Sequence, residues 1–97
     1  MIDRLVAEDF ETLIGQPIAV SSAARDASMA VVEVKRIANP TPRATPPFSV
    51  LLREAGATRP LPQGIYRFAH PAHGSLELFL VPVGADRDGA TYELTFN

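Results

Sequence analysis

Residues 76–84 read LELFLVPVG, and Glu77 is the single charged residue among them. Because alternate residues of a β-strand point to opposite faces, this stretch presents an apolar row on each side. A strand that is apolar on both faces needs cover on both sides, which is demanding for a small chain. The fold depends on how the two rows are covered, and their members are Leu76, Leu78 and Leu80 on one face and Phe79, Val81 and Val83 on the other.

Length and composition indicate one domain over residues 1–97. Of the 97 residues, 46% are hydrophobic and 21% are charged, which is typical of a single globular unit. Nine basic residues stand against eleven acidic ones, so the chain offers no positive surface for nucleic acid. The absence of cysteine excludes disulfides and thiolate chemistry.

The sequence also bears on location. The first residues, MIDRLVAEDFE, carry charges where a signal peptide needs an apolar core. The chain has no run of about 18 apolar residues that could span a bilayer as a helix. We therefore expect no membrane contact and a cytoplasmic location, with export as part of an assembly left open.

The N-terminal segment AEDFETLIG has helical periodicity. Phe10, Leu13 and Ile14 fall on one stripe, and Gly15 follows as a residue typical of a helix end. The pattern predicts a short helix over Ala7–Ile14.

The rest of the chain alternates with a period of two, which indicates strands. In MAVVEVKRI the expected inward face is Ala30, Val32 and Val34. The proline-rich stretch ANPTPRATPP at 38–47 predicts a loop. The predicted strands are PIAV at 17–20, MAVVEVKRI at 29–37, FSVLLRE at 48–54, Gly64–Ala69, Ser75–Val83 and Ala90–Phe96.

Short, turn-rich connections join the last three strands, HPAHG and GADRDG, so we expect an antiparallel meander at the C-terminus. The predicted fold class is all-β. About six antiparallel strands form a small barrel or sandwich, which one short N-terminal helix closes.

Several motifs occur together in this chain: LPQGIYRFAHPAHGSLELFLVPVG is followed by YELTFN. The chain resembles an uncharacterised family of small bacterial proteins, a domain of unknown function, with the pattern PQG-x-Y, HP-x-x-G, LFLVPVG and YE-x-x-FN. The opening EDFETLIG is also similar to the family. The matching positions are Pro62, Gln63, Gly64, Tyr66, His70, Pro71, Gly74, residues 78–84, Tyr92, Glu93, Phe96 and Asn97.

The resemblance implies no catalytic residues and no cofactor. Members are often encoded beside proteins with phage-tail collar domains, which implies a structural or accessory role in a tail-like or fibre system. That implication is one of association.

His70 and His73 in HPAHG are the two histidines of the chain. A zinc site needs at least one further ligand, and Glu77 or Glu93 would have to supply it. The favoured interpretation is a turn in which Pro71 fixes φ, Gly74 adopts a positive φ and His70 caps the turn by a side-chain hydrogen bond. No metal site is predicted.

Other chemical motifs are weak. DRDG at 86–89 begins like a calcium loop, but the twelfth position from Asp86 is Asn97 where the loop needs glutamate, so a hairpin turn is favoured. No serine lies in a G-x-S-x-G elbow, and the dispersed glycines form no phosphate-binding loop. The sequence therefore predicts no enzyme.

Aromatic side chains on the meander allow a second function. They form a candidate pocket if the barrel is hollow, but a filled aromatic core is favoured because small barrels are usually packed by their own side chains. The residues concerned are Tyr66, Phe68, Tyr92 and Phe96.

Two kinds of cover suit the outward face of LELFLVPVG. The helix stripe could pack over Phe79 and Val81, or a protein partner or second copy of the chain could cover them. We expect a non-enzymatic accessory protein that acts by protein contact, with a small-ligand-binding barrel as the alternative.

Overall fold

The computed structural model describes residues 5–23, 25–37, 47–57 and 59–96. It confirms an all-β fold with six antiparallel strands and one short N-terminal helix. The elements are α1 Glu8–Glu11, β1 Pro17–Ser21, β2 Ala27–Arg36, β3 Phe48–Ala55, β4 Gly64–His70, β5 Gly74–Asp86 and β6 Gly89–Phe96.

The sheet closes on itself as a barrel in the order β1-β2-β3-β6-β5-β4. The meander β4–β5–β6 confirms the arrangement expected for the last three strands. β3 joins β6, and β1 joins β4 to complete the barrel. Among the described residues, no helix has the length and apolar character needed to cross a membrane.

Inward alternation in β3, β5 and β6 builds the core as predicted. Buried residues alternate with more exposed ones over 50–54, 76–80 and 90–96, and the buried rows meet in a single hydrophobic cluster. The rows are Phe48, Val50 and Leu52, then Leu76, Leu78 and Leu80, then Tyr92, Leu94 and Phe96.

The predicted inward face of β2 is correct for Val34 and wrong for Ala30 and Val32. Met29 and Val31 are buried, whereas the side chain of Val32 is 48% exposed. A bulge between Val31 and Glu33 inserts one extra residue against β3. The bulge reverses the phase of the strand, so that Val34 packs against the core but Val32 does not.

The helix is shorter than predicted and packs at a different place. Its Phe10 ring lies 6.0 Å from Phe48 and 5.4 Å from Phe96, between ring centroids, at one end of the barrel. Leu13 is also buried, while Ile14 is half exposed. The helix closes the barrel end and leaves Phe79 50% exposed, so the expectation that it covers Phe79 and Val81 is wrong.

The way the helix ends explains why it is short and where it packs. After Glu11 the chain tightens, with the Leu13 N–H donating to the Phe10 carbonyl at 3.0 Å. Gly15 then adopts φ 85° and donates to the Val31 carbonyl at 2.9 Å, which holds the end of the segment against β2.

Two predicted connections have different outcomes. Most of the proline-rich loop lies outside the described residues, although Ile37 donates to the Pro47 carbonyl at 3.0 Å across its base. The DRDG hairpin turn is confirmed. The Asp86 carboxylate accepts from the Asp88 N–H at 2.8 Å and the Gly89 N–H at 3.1 Å.

Candidate functional site

The β4–β5 turn carries both histidines. His70 Nδ1 accepts hydrogen bonds from the Ala72 N–H at 3.0 Å and the His73 N–H at 3.3 Å. Because Nδ1 is an acceptor, Nε2 carries the proton and donates to the Asp9 carbonyl at 2.7 Å. The predicted capping role of His70 is confirmed, as is the positive φ of Gly74, 74°.

Asp9 links this turn to the helix. Its Oδ1 lies 2.9 Å from His73 Nε2, and its Oδ2 accepts from the Val6 N–H at 2.8 Å. Burial raises the pKa of Asp9, but the bonds from Val6 and His73 more than offset it and leave that pKa below its usual range. The cluster ties the helix to the turn.

The histidine cluster is not arranged as a metal centre. Both ring nitrogens of His70 are occupied by main-chain groups. Glu77 is exposed and lies 3.8 Å from Arg67, and Glu93 sits across from Val81. In the described part of the chain, no group of three or more His, Asp or Glu could hold a metal ion.

A buried polar cluster, absent from the sequence predictions, lies toward the opposite end of the barrel. Glu54 is 6% exposed, and its carboxylate forms a two-point ion pair with Arg25, of which the Nη2–Oε1 distance is 3.1 Å. The Tyr92 hydroxyl donates to Glu54 Oε1 at 2.7 Å and accepts from the Leu61 N–H at 2.9 Å. Arg25 also donates to the Arg59 carbonyl at 3.1 Å.

The Arg25 hydrogen bonds hold the pKa of Glu54 below its usual range, although burial opposes them. One sequence signal could have found this cluster. Glu54 continues the inward row Phe48, Val50 and Leu52, and a carboxylate on an inward row needs a buried partner. That partner is Arg25, which lies between two strands, so no periodic pattern identifies it.

The four aromatic residues of the candidate pocket belong to the hydrophobic core. The Tyr66 hydroxyl donates to the Pro62 carbonyl at 2.5 Å, and the Tyr92 hydroxyl belongs to the Glu54 cluster. Phe96 is stacked on Phe48 with ring centroids 4.5 Å apart. Tyr66, Phe68, Tyr92 and Phe96 are all buried in one cluster, where their side chains pack the barrel.

Part of the outward face of β4 and β5 is apolar and exposed. Ile65 is 62% exposed and pairs across the strands with Phe79, and Val83 is 52% exposed. Val83 lies at a register shift between Pro82 and Gly84, and Val81 is half-buried. We call Ile65, Phe79, Val81 and Val83 the outer patch.

A groove of about 320 Å³ lies beside this patch. It opens where β1 and β4 diverge, just past the register pairs Val20↔Phe68 and Ser21↔Arg67. We call this groove the β1–β4 slot, and its lining residues are Ser21, Ser22, Ala23, Ile65, Tyr66, Arg67 and Glu77.

A family model described as a domain of unknown function, DUF6916, matches residues 5–96, which include all six strands. No curated protein and no solved structure matches the chain.

Proposed function

The chain belongs to the DUF6916 family, a domain of unknown function, and we propose that it is a non-enzymatic accessory protein that binds another protein through the outer patch. The observation that carries this proposal is the exposure of Ile65, Phe79 and Val83 together on two adjacent strands.

Exposed apolar side chains become informative when they cluster. Single ones are normal on soluble proteins, but a contiguous group marks an interaction surface. Ile65 and Phe79 are direct cross-strand partners, so their side chains lie side by side on the outer surface. An aromatic residue at the centre of such a patch suits it to carry much of the binding energy of a protein interface.

The polar groups of the chain support a non-enzymatic role. Glu54 and Tyr92 bond to each other, to Arg25 and to the Leu61 main chain. His70 is held by main-chain groups on both ring nitrogens. These side chains are committed to holding the barrel and its ends together, which favours a structural purpose for them.

The finer part of the proposal concerns the partner. We take it to be a collar-domain or fibre protein of a tail-like system, as the family resemblance implies, and place the protein in the cytoplasm or in an exported assembly. A second copy of the chain is the competing partner for the outer patch.

The test is light scattering of the purified protein across a dilution series, alone and mixed with a collar-domain fibre protein. We expect a monomer alone and a shift to a complex on mixing. Phe79→Asp should weaken the complex at least about tenfold, because it places a charge at the patch centre. Val32→Asp is the matched control, since Val32 is also a half-exposed apolar residue but lies on β2.

Three results contradict the proposal. The fibre protein has no effect on the mass, or Phe79→Asp binds as tightly as the parent chain. In the third, the parent chain dimerises alone and Phe79→Asp abolishes the dimer, which identifies a second copy as the partner.

A further inference from the structure

The β1–β4 slot exposes one side of a strand. Gly64, Ile65 and Tyr66 pair with Leu80, Phe79 and Leu78 of β5 on one side. On the β1 side, register pairs stop at Ser21↔Arg67, and no described residue continues them along Gly64–Tyr66. The N-terminal half of β4 is therefore a strand edge within an otherwise closed barrel.

The edge offers main-chain hydrogen-bonding groups. Successive residues of an antiparallel strand direct their N–H and C=O groups to opposite sides. One of Ile65 and Tyr66 therefore bonds toward β5, and the other presents its N–H and C=O to the slot. An extended peptide backbone can form hydrogen bonds with those N–H and C=O groups.

Named bonds fix the far wall of the slot. Ser22 Oγ donates to the Arg25 carbonyl at 2.9 Å and accepts from the Arg25 N–H at 3.2 Å, which fixes the turn after β1. The Arg25 guanidinium then reaches to Glu54 on β3 and to the Arg59 carbonyl. These bonds fix the β1–β2 turn, which carries the far wall of the slot.

We propose that the β1–β4 slot binds an extended segment of a partner protein, which adds as a strand to Gly64–Tyr66 opposite Ser22 and Ala23. This inference rests on the proposed function and specifies how the partner is held. The slot is lined by Ser21–Ala23 on one side and by Ile65–Arg67 on the other, and an extended segment is the form of chain that can pair with the main-chain groups of β4 there.

The side chains around the slot define the chemistry of that segment. An inserted residue beside Ile65 points outward and extends the apolar row Ile65–Phe79, so a β-branched apolar residue fits there. Arg67 and Glu77 at the rim carry opposite charges 3.8 Å apart. A rim without net charge suits a segment that is uncharged where it enters the slot.

The test is titration of the isotope-labelled protein with a short peptide in which valine and threonine alternate between terminal lysines, followed by amide chemical shifts. We expect shifts at Gly64–Tyr66 and Ser21–Ala23. The same peptide with N-methylated internal amides should bind at least about tenfold weaker, because it lacks strand donors. Ile65→Lys should weaken binding similarly, since an edge lysine opposes strand addition, while Val32→Lys should not.

Two results overturn the inference. Absence of shifts at millimolar peptide does so directly. Shifts confined to Phe79 and Val83, with equal affinity for the N-methylated peptide, show side-chain docking without strand addition. In that second case the outer patch remains a binding surface, so failure of this inference is distinct from failure of the proposed function.

Discussion

The opposite seams of the barrel are closed to different extents. β3 pairs with β6 without interruption from Phe48↔Phe96 to Ala55↔Gly89. Across the barrel, β1 pairs with β4 at Val20↔Phe68 and Ser21↔Arg67, and the strands then diverge. Both seams bury their inward side chains. Main-chain pairing is continuous at the β3–β6 seam but covers two register pairs at the β1–β4 seam.

The difference shows where this fold places its stability and where it leaves a surface for contact. At the β3–β6 seam, main-chain pairing runs along the same residues whose inward side chains form the core. At the β1–β4 seam, Val20 and Phe68 are still buried, but no described register pair follows Ser21↔Arg67, which leaves an edge of β4 accessible. The nearby Arg25 side chain bonds instead to Glu54 on β3 and to the Arg59 carbonyl.

Removing the Arg25 side chain should have a large effect on stability. Arg25→Ala leaves the Glu54 carboxylate buried without its cation, and we expect unfolding free energy to fall by about 2 to 3 kcal/mol. The figure lies at or below the usual range for a broken buried pair because the Arg25 side chain is 39% exposed. Urea unfolding at neutral pH measures the change.

The pH dependence of the stability lost in Arg25→Ala shows whether the loss comes from the ion pair with Glu54 or from packing contacts. Arg25 lowers the pKa of Glu54 from its usual value of 4.5, so the stabilisation is complete above that value and disappears as pH falls through the lower folded pKa. The difference in unfolding free energy between the parent chain and Arg25→Ala should therefore shrink as the pH falls below 4.5. A difference that stays constant with pH contradicts the ion-pair explanation. The control is Arg36→Ala, because Arg36 forms an exposed ion pair with Glu11.

A matched pair of valines compares the seams directly. Val50 on β3 and Val20 on β1 are both fully buried. Val50→Ala should cost about 2 to 3 kcal/mol, because the continuous ladder prevents the structure from collapsing around the lost methyl groups. Val20→Ala should cost about 1 kcal/mol less, since the shorter seam can relax. Equal losses in thermal unfolding would show that the seams are equally rigid.

The outer patch should contribute least to folding. Phe79→Asp changes a residue that is half exposed, and we expect unfolding free energy to move by about 0.5 kcal/mol or less. Phe68→Asp on the neighbouring strand, at a buried position, is the contrasting variant and should prevent folding. Thermal unfolding by circular dichroism checks both, and a large loss for Phe79→Asp would mean that Phe79 serves the core.

Strand identity could be predicted from sequence because buried residues alternate with more exposed ones over 50–54 in β3, 76–80 in β5 and 90–96 in β6. In β2 one inserted residue reversed the phase after Val31, and a bulge of that size leaves no mark in the hydrophobic pattern. The His70 turn was predictable because its bonds join residues two and three apart. Local chemistry was therefore accessible from the sequence.

The remaining features depend on residues far apart in the chain. The helix had an apolar stripe of suitable size for Phe79, yet Phe10 packs on Phe48 and Phe96 because the chain brings it to the barrel end. Arg25 and Glu54 are 29 residues apart, and the slot exists because β1 leaves β4 after Ser21. Closure of the barrel brings these residues together. The periodicity of a single strand does not indicate how the strands close, so the sequence did not predict these contacts.

Native-state amide hydrogen exchange measures directly whether the barrel has an open seam along β4. We predict that one of the Ile65 and Tyr66 amides exchanges at least about a hundredfold faster than the other and than the paired amides of β3. Protection of both amides at the level of the β3–β6 seam would mean that the edge is already paired and that the seam is closed.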